Sequence, residues 1–108
     1  MRFHVSFAES LTQLKKSEDD FAVLFEHGSM RGIIFGPEEL DGQEPHMQDE
    51  IYLVMRGSGE FEMENKVVHI GVGDFLFVPA GATHRFRNFT SDLLLWVILY
   101  GPEGGETE

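Results

Sequence analysis

Cysteine is absent from the 108 residues. Disulfides, thiolate metal sites and cysteine nucleophiles are thereby excluded, and any metal site must use nitrogen and oxygen donors. The absence also fits a reducing compartment. Cations are scarce: eight Lys and Arg stand against nineteen Asp and Glu, a formal charge of −11. Such a field repels polyanions, so nucleic acid is not expected as a partner. A long apolar run is missing too. The longest spans residues 93–100, far short of the ~20 residues a membrane helix needs. The opening Met1-Arg2-Phe3-His4-Val5 lacks the apolar stretch and small-residue cleavage site of a leader. These features read as a soluble, cytoplasmic protein without a membrane partner.

Hydrophobic residues make up 42% of the chain and ten are Phe, enough for one core. The length suits one domain. Helical patterning is confined to the start. Ser6 and Glu9 stand at capping-box spacing, Phe7, Leu11 and Leu14 form one apolar stripe, and Lys15-Lys16 complement the dipole at its end. Beyond Asp20 the pattern is one of short strands divided by Gly-rich turns. Strands are predicted over residues 21–26, 30–35, 50–56, 60–64, 67–70, 75–78, 84–89 and 93–100, with a polar loop over 36–45. Eight short strands at close spacing predict an all-β closed barrel or sandwich, and a small barrel encloses room for one ligand. Three parts are expected: an N-terminal helical segment packed on the barrel (1–20), the barrel (21–101) and a loose acidic tail (102–108). Residues 93–100 do not alternate, so both faces of that strand should be covered. One meets the core, and the other meets the helix or a second subunit. A homodimer is the expected assembly. Phe75 and Trp96 read as core. Tyr52, Phe86 and Phe77 read as inward aromatics, and Arg85 and Arg87 as outward charges.

Two windows carry the chemistry. Residues 73–88 have the form G-x5-P-x-G-x2-H-x3-N, from Gly73 through Pro79, Gly81 and His84 to Asn88. Gly81 allows a backbone angle the turn requires, and His84 opens the next strand. Residues 44–57 run from Glu44 through His46 and Glu50 to Gly57. The second motif of the cupin superfamily is matched at every defined position of the later window. The earlier window resembles the first cupin motif at His46, Glu50 and Gly57, with Glu44 where a His is usual. The resemblance spans roughly residues 44–100, and it identifies the chain as similar to small single-domain cupins.

The resemblance implies a small antiparallel jelly-roll barrel holding one divalent ion, Fe, Mn, Ni or Zn. His46, Glu50 and His84 would be its ligands, with Glu44 a fourth by substitution. Residues 44, 46, 48 and 50 share parity, so an extended backbone would place all four on one face. Gln48 either replaces Glu44 as the inward polar group or faces water. Two imidazoles and one or two carboxylates suit a borderline-to-hard ion with open positions. Similar cupins act on small organic molecules, with dioxygenase, isomerase and decarboxylase chemistries among them. On that reading Glu44 is a ligand or base and Tyr52 orients the substrate. The alternative is a non-catalytic module that binds a small metabolite.

Overall fold

A computed structural model describes residues 2–38 and 45–107. Glu44 lies outside the described residues. Helix α1 (Phe7–Lys16) starts where Ser6 Oγ accepts a hydrogen bond from Glu9 N at 3.1 Å, satisfying one otherwise unpaired amide. Eight strands follow: β1 (Phe21–His27), β2 (Met30–Phe35), β3 (Asp49–Arg56), β4 (Gly59–Met63), β5 (Lys66–Ile70), β6 (Phe75–Val78), β7 (His84–Arg87) and β8 (Leu94–Tyr100). They pair antiparallel in two sheets. One has the order β1-β2-β8-β3-β6, and the other β5-β4-β7. This is the small jelly-roll barrel with one short helix that the sequence predicts. No described helix is long and apolar enough to cross a membrane.

The core lies between the sheets. Tyr52, Val54, Val78, Leu95, Val97 and Leu99 point inward from the larger sheet, and Phe61 and Phe86 from the smaller. Strand parity explains the set: β3 pairs Tyr52 with Val97 of β8 and with Leu76 of β6, so residues of one parity line one interior face. Helix α1 packs on the outside of β1 and β2, where Ile34 is fully buried.

Gly57 is sterically required in the β3–β4 turn. Its φ is +81°, and a Cβ there would meet Thr90 Oγ1 at 2.6 Å and Leu93 Cα at 2.8 Å. On the outer face of the smaller sheet, Arg85 and Arg87 of β7 face outward as read and ion-pair with Glu62 and Glu60 of β4. The Asn88 amide and the Arg87 guanidinium hold the Glu60 carboxyl below the usual range, and Arg85 does the same for Glu62. A depressed folded-state pKa means these contributions are present above the ordinary carboxylate range and are lost as pH falls through it.

Three expectations are corrected. Phe75 and Phe77 are 61% and 44% exposed, because β6 pairs so that Leu76 and Val78 point inward instead. Trp96 is only half-buried and shares the outer face. The tail is not loose. Asp49, 5% exposed, accepts from Ala80 N at 3.0 Å and from Glu106 N at 2.9 Å, and Gly104 N donates to Met47 O at 2.7 Å.

Leu95, fully buried between the sheets, is the sharpest probe of this packing. Leu95→Ala is expected to cost about 2–5 kcal/mol in urea unfolding, with transfer and cavity terms adding. Val68→Ala, at a 49% exposed position, should stay within about 0.5 kcal/mol of wild type.

Candidate metal centre

Glu50 and His84 arrive from opposite sheets. Glu50 sits near the start of β3, held between β6 (register partner Val78) and β8 (register partner Leu99). His84 opens β7, opposite Met63 of β4. Closing the sheets into a barrel therefore brings them together inside. His84 Nε2 stands 3.0 Å from Glu50 Oε1, with both side chains at most 1% exposed. His46 enters from the segment before β3, its Nε2 3.4 Å from Glu50 Oε2 and its side chain 41% exposed at the rim. Backbone contacts hold that segment: Gly81 N donates to His46 O at 2.8 Å. Gly81 takes a φ of +81° in the β6–β7 turn, which ties the two motif windows to each other.

The parity argument holds only in part. Residues 47–48 bend, and β3 begins at Asp49. Gln48 consequently turns away from the barrel, donating to Ser29 O at 3.0 Å and Gly101 O at 2.9 Å. His46 still reaches Glu50. Asn88, the last motif residue, lies outside the barrel. It follows β7 with a left-handed φ of 47° and donates to Glu60 on the outside at 2.7 Å.

The hydrogen-bond inventory defines the chemistry. His84 Nδ1 lies 3.0 Å from Ala82 O. A carbonyl can only accept, so Nδ1 carries the proton, and in the neutral ring Nε2 bears the lone pair. Tyr52, fully buried, places its hydroxyl 3.1 Å from that Nε2. Among the described residues, neither Glu50 oxygen has a hydrogen-bond partner. The His84 contact, at 3.0 Å, sets the Nε2 lone pair against the carboxylate. A buried carboxylate facing an imidazole lone pair is stable only if a cation, a proton or a metal ion, lies between or beside them. The donor set therefore fits a divalent ion: one carboxylate and two imidazole nitrogens, the second imidazole standing at the exposed rim. Among the described residues no three His, Asp or Glu side chains form a ready-made cage.

Aromatic rings close the interior below the site. Tyr52 and Phe86 meet edge-on at 5.0 Å, Phe61 and Phe86 lie 4.9 Å apart, and Phe61 reaches the His84 ring at 6.1 Å. These contacts fix the His84 ring and keep water from its inner side. The residue that sequence reasoning missed is Asp49. It ties the residue before Glu50, the turn before His84 and the C-terminal segment together. Its only sequence signal is its position one residue before Glu50.

Comparison with known proteins agrees with this fold. The Cupin_2 family, described as Cupin domain, matches residues 33–100. An uncharacterised protein of Streptomyces coelicolor is 35% identical over 63 residues, covering 58% of this chain and 60% of that protein. An acireductone dioxygenase of Leptospira biflexa is 34% identical over 82 residues, covering 68% of this chain and 45% of that protein. The chain thus spans about half the length of the curated relatives it matches. Among solved structures, a cupin-2 domain protein of Shewanella frigidimarina superposes with a TM-score of 0.71 at 16% identity, covering 87% of this chain and 91% of that one. With the family matched from the end of β2 through β8 and through both motif windows, the chain belongs to the cupin-2 family.

Proposed function

We propose that the chain binds one divalent metal ion through His46, Glu50 and His84 and is an enzyme acting on a small organic molecule, with dioxygenase-like or isomerase-like chemistry. The observation that carries the reading is the Glu50 carboxylate, 1% exposed and without a hydrogen-bond partner among the described residues, between two imidazole Nε2 atoms. The 34% identity to an acireductone dioxygenase supports the dioxygenase side of it.

When bound, the ion supplies Lewis acidity toward an oxygen-bearing substrate. The chain's own residues do the rest. The Ala82 carbonyl fixes the His84 tautomer through Nδ1, which turns the Nε2 lone pair toward Glu50 and raises its basicity. The Tyr52 hydroxyl, beside that Nε2, orients the substrate by donating a hydrogen bond. Phe61 and Phe86 close the site from below and exclude water. Glu44 takes the fourth ligand or base role by its place in the first motif. The expected substrate is a small molecule, with neither nucleic acid nor a membrane involved.

Elemental analysis of protein purified without added metal tests the reading. About one Fe, Mn, Ni or Zn per chain is expected. His84→Ala should lower metal affinity at least tenfold, since the buried imidazole cannot be replaced from the rim. Full metal content in His84→Ala would remove the assignment. Oxygen uptake against small catechols, thiols and keto acids then separates the two roles. Metal without turnover across that panel would favour a module that only binds a metabolite.

Glu50→Gln separates stability from function. Removing a buried charge that has no donor should leave the metal-free protein at least as stable as wild type in urea. The same change should abolish the added stability that metal gives the wild type. Marked destabilisation of the metal-free variant would show that Glu50 has a structural partner.

A further inference from the structure

The rows of the smaller sheet run from the metal centre to its free edge. A two-residue turn at Glu64 and Asn65, with left-handed φ of 49° and 69°, fixes the β4–β5 register. That register sets His84 of β7 opposite Met63 of β4, and Met63 opposite Lys66 of β5. Met63 packs against the interior core, so the row lies on the inner face. Lys66 stands on it two strands from the His84 backbone, about 10 Å away. The next row, Phe86, Phe61 and Val68, has the same parity, and its two Phe rings belong to the core.

The interior opens along β5. This strand is the edge of the smaller sheet and β6 is an edge of the larger, and among the described residues no ladder joins them. Exposure on the inner face of β5 rises toward the metal centre. Ile70 is 5% exposed, Val68 is 49% exposed, and Lys66 is exposed. The opening beside His84 therefore carries apolar Met63 and Val68 with one cation.

The other seven cations of the chain have partners of their own. Arg2 pairs with Glu9, Arg85 with Glu62 and Arg87 with Glu60. Arg56 lies over the Phe7 ring. Lys15 and Lys16 end α1, where the helix dipole favours them. Arg31 stands opposite Glu26 in the β1–β2 ladder. Lys66 makes no ion pair among the described residues, although the chain has nineteen carboxylate side chains. The acids of its own hairpin are engaged elsewhere, Glu62 with Arg85 and Glu64 with Thr83 Oγ1. A lysine on an edge strand also discourages sheet pairing between molecules, but that role does not require the inner row.

We infer that Lys66 is a specificity-determining residue of the proposed metal centre, and that it holds the carboxylate of a small organic anion whose other end meets the ion. The inference rests on the metal reading of His46, Glu50 and His84. The flexible stem of a lysine lets its ammonium swing toward the site. The two-strand interval leaves room for the body of a small molecule against Met63 and Val68. In a chain of −11, an unpaired cation at the opening draws in an anion that the rest of the surface repels.

Titration calorimetry of the metal-loaded protein with two probes of equal carbon length tests it. α-Ketoglutarate and α-ketovalerate share one chelating keto-acid head and differ at the far end, a carboxylate against a methyl. The wild type should bind α-ketoglutarate about five- to tenfold more tightly. Lys66→Gln should bind the two alike, and Lys66→Arg should keep the preference. Lys16→Gln, which removes the same charge from the end of α1, should keep it as well. All variants should retain the metal content and urea midpoint of the wild type. No preference in the metal-loaded wild type, or a preference that survives in Lys66→Gln, would overturn the proposal and leave the metal assignment standing. Failure to load metal, seen by elemental analysis, would overturn the metal assignment and this proposal with it.

Discussion

The buried carboxylate of Glu50 is the constraint around which this barrel is organised. A charge at 1% exposure is costly to fold around, and the described residues give it no hydrogen-bond donor. The contacts near it bring the Nε2 atoms of His84 and His46 to its two oxygens. The Ala82 carbonyl accepts a hydrogen bond from His84 Nδ1, Tyr52 and Phe61 wedge the ring, and the Gly81–His46 backbone bond brings the rim histidine into range. A core built only for stability would place an apolar residue at position 50.

The two faces of β3 divide the labour. Glu50, Tyr52 and Val54 build the site and the core on the inside, while Ile51 and Leu53 form an outer apolar field. Because β3 is central, paired on both sides by β6 and β8, its backbone is held along its length. A site residue on such a strand is positioned more accurately than one on a loop. Asp49 adds a clamp where the strand begins, tying the β6–β7 turn and the C-terminal segment to it. The histidine that does not belong to a strand, His46, is also the exposed one.

Much of this could be read from the residues. The helix, its Ser6 cap and the eight strands follow from period and turn residues, each strand falling within a few residues of its predicted place. His84 was legible because Pro79, Gly81 and Asn88 fix its context. What escaped depends on pairing. Residues 75–78 are Phe-Leu-Phe-Val, apolar at both parities, so alternation could not say which pair faces in. Only the register against Tyr52 decides that Leu76 does. The Gly-Gly-Glu-Thr-Glu ending has the composition of a loose tail, yet backbone amides hold it, and hydropathy does not register backbone hydrogen bonds. Gln48 shared parity with His46 and Glu50, but the bend at 47–48 breaks the extended geometry on which parity rests.

Anomalous diffraction at a transition-metal edge, from crystals of protein purified without chelator, tests the central claim most directly. One peak is expected, about 2.0–2.2 Å from His46 Nε2, His84 Nε2 and a Glu50 oxygen, with His46 rotated inward from the rim. A peak elsewhere, or density showing Glu50 hydrogen-bonded to protein donors with no ion beside it, would contradict the account.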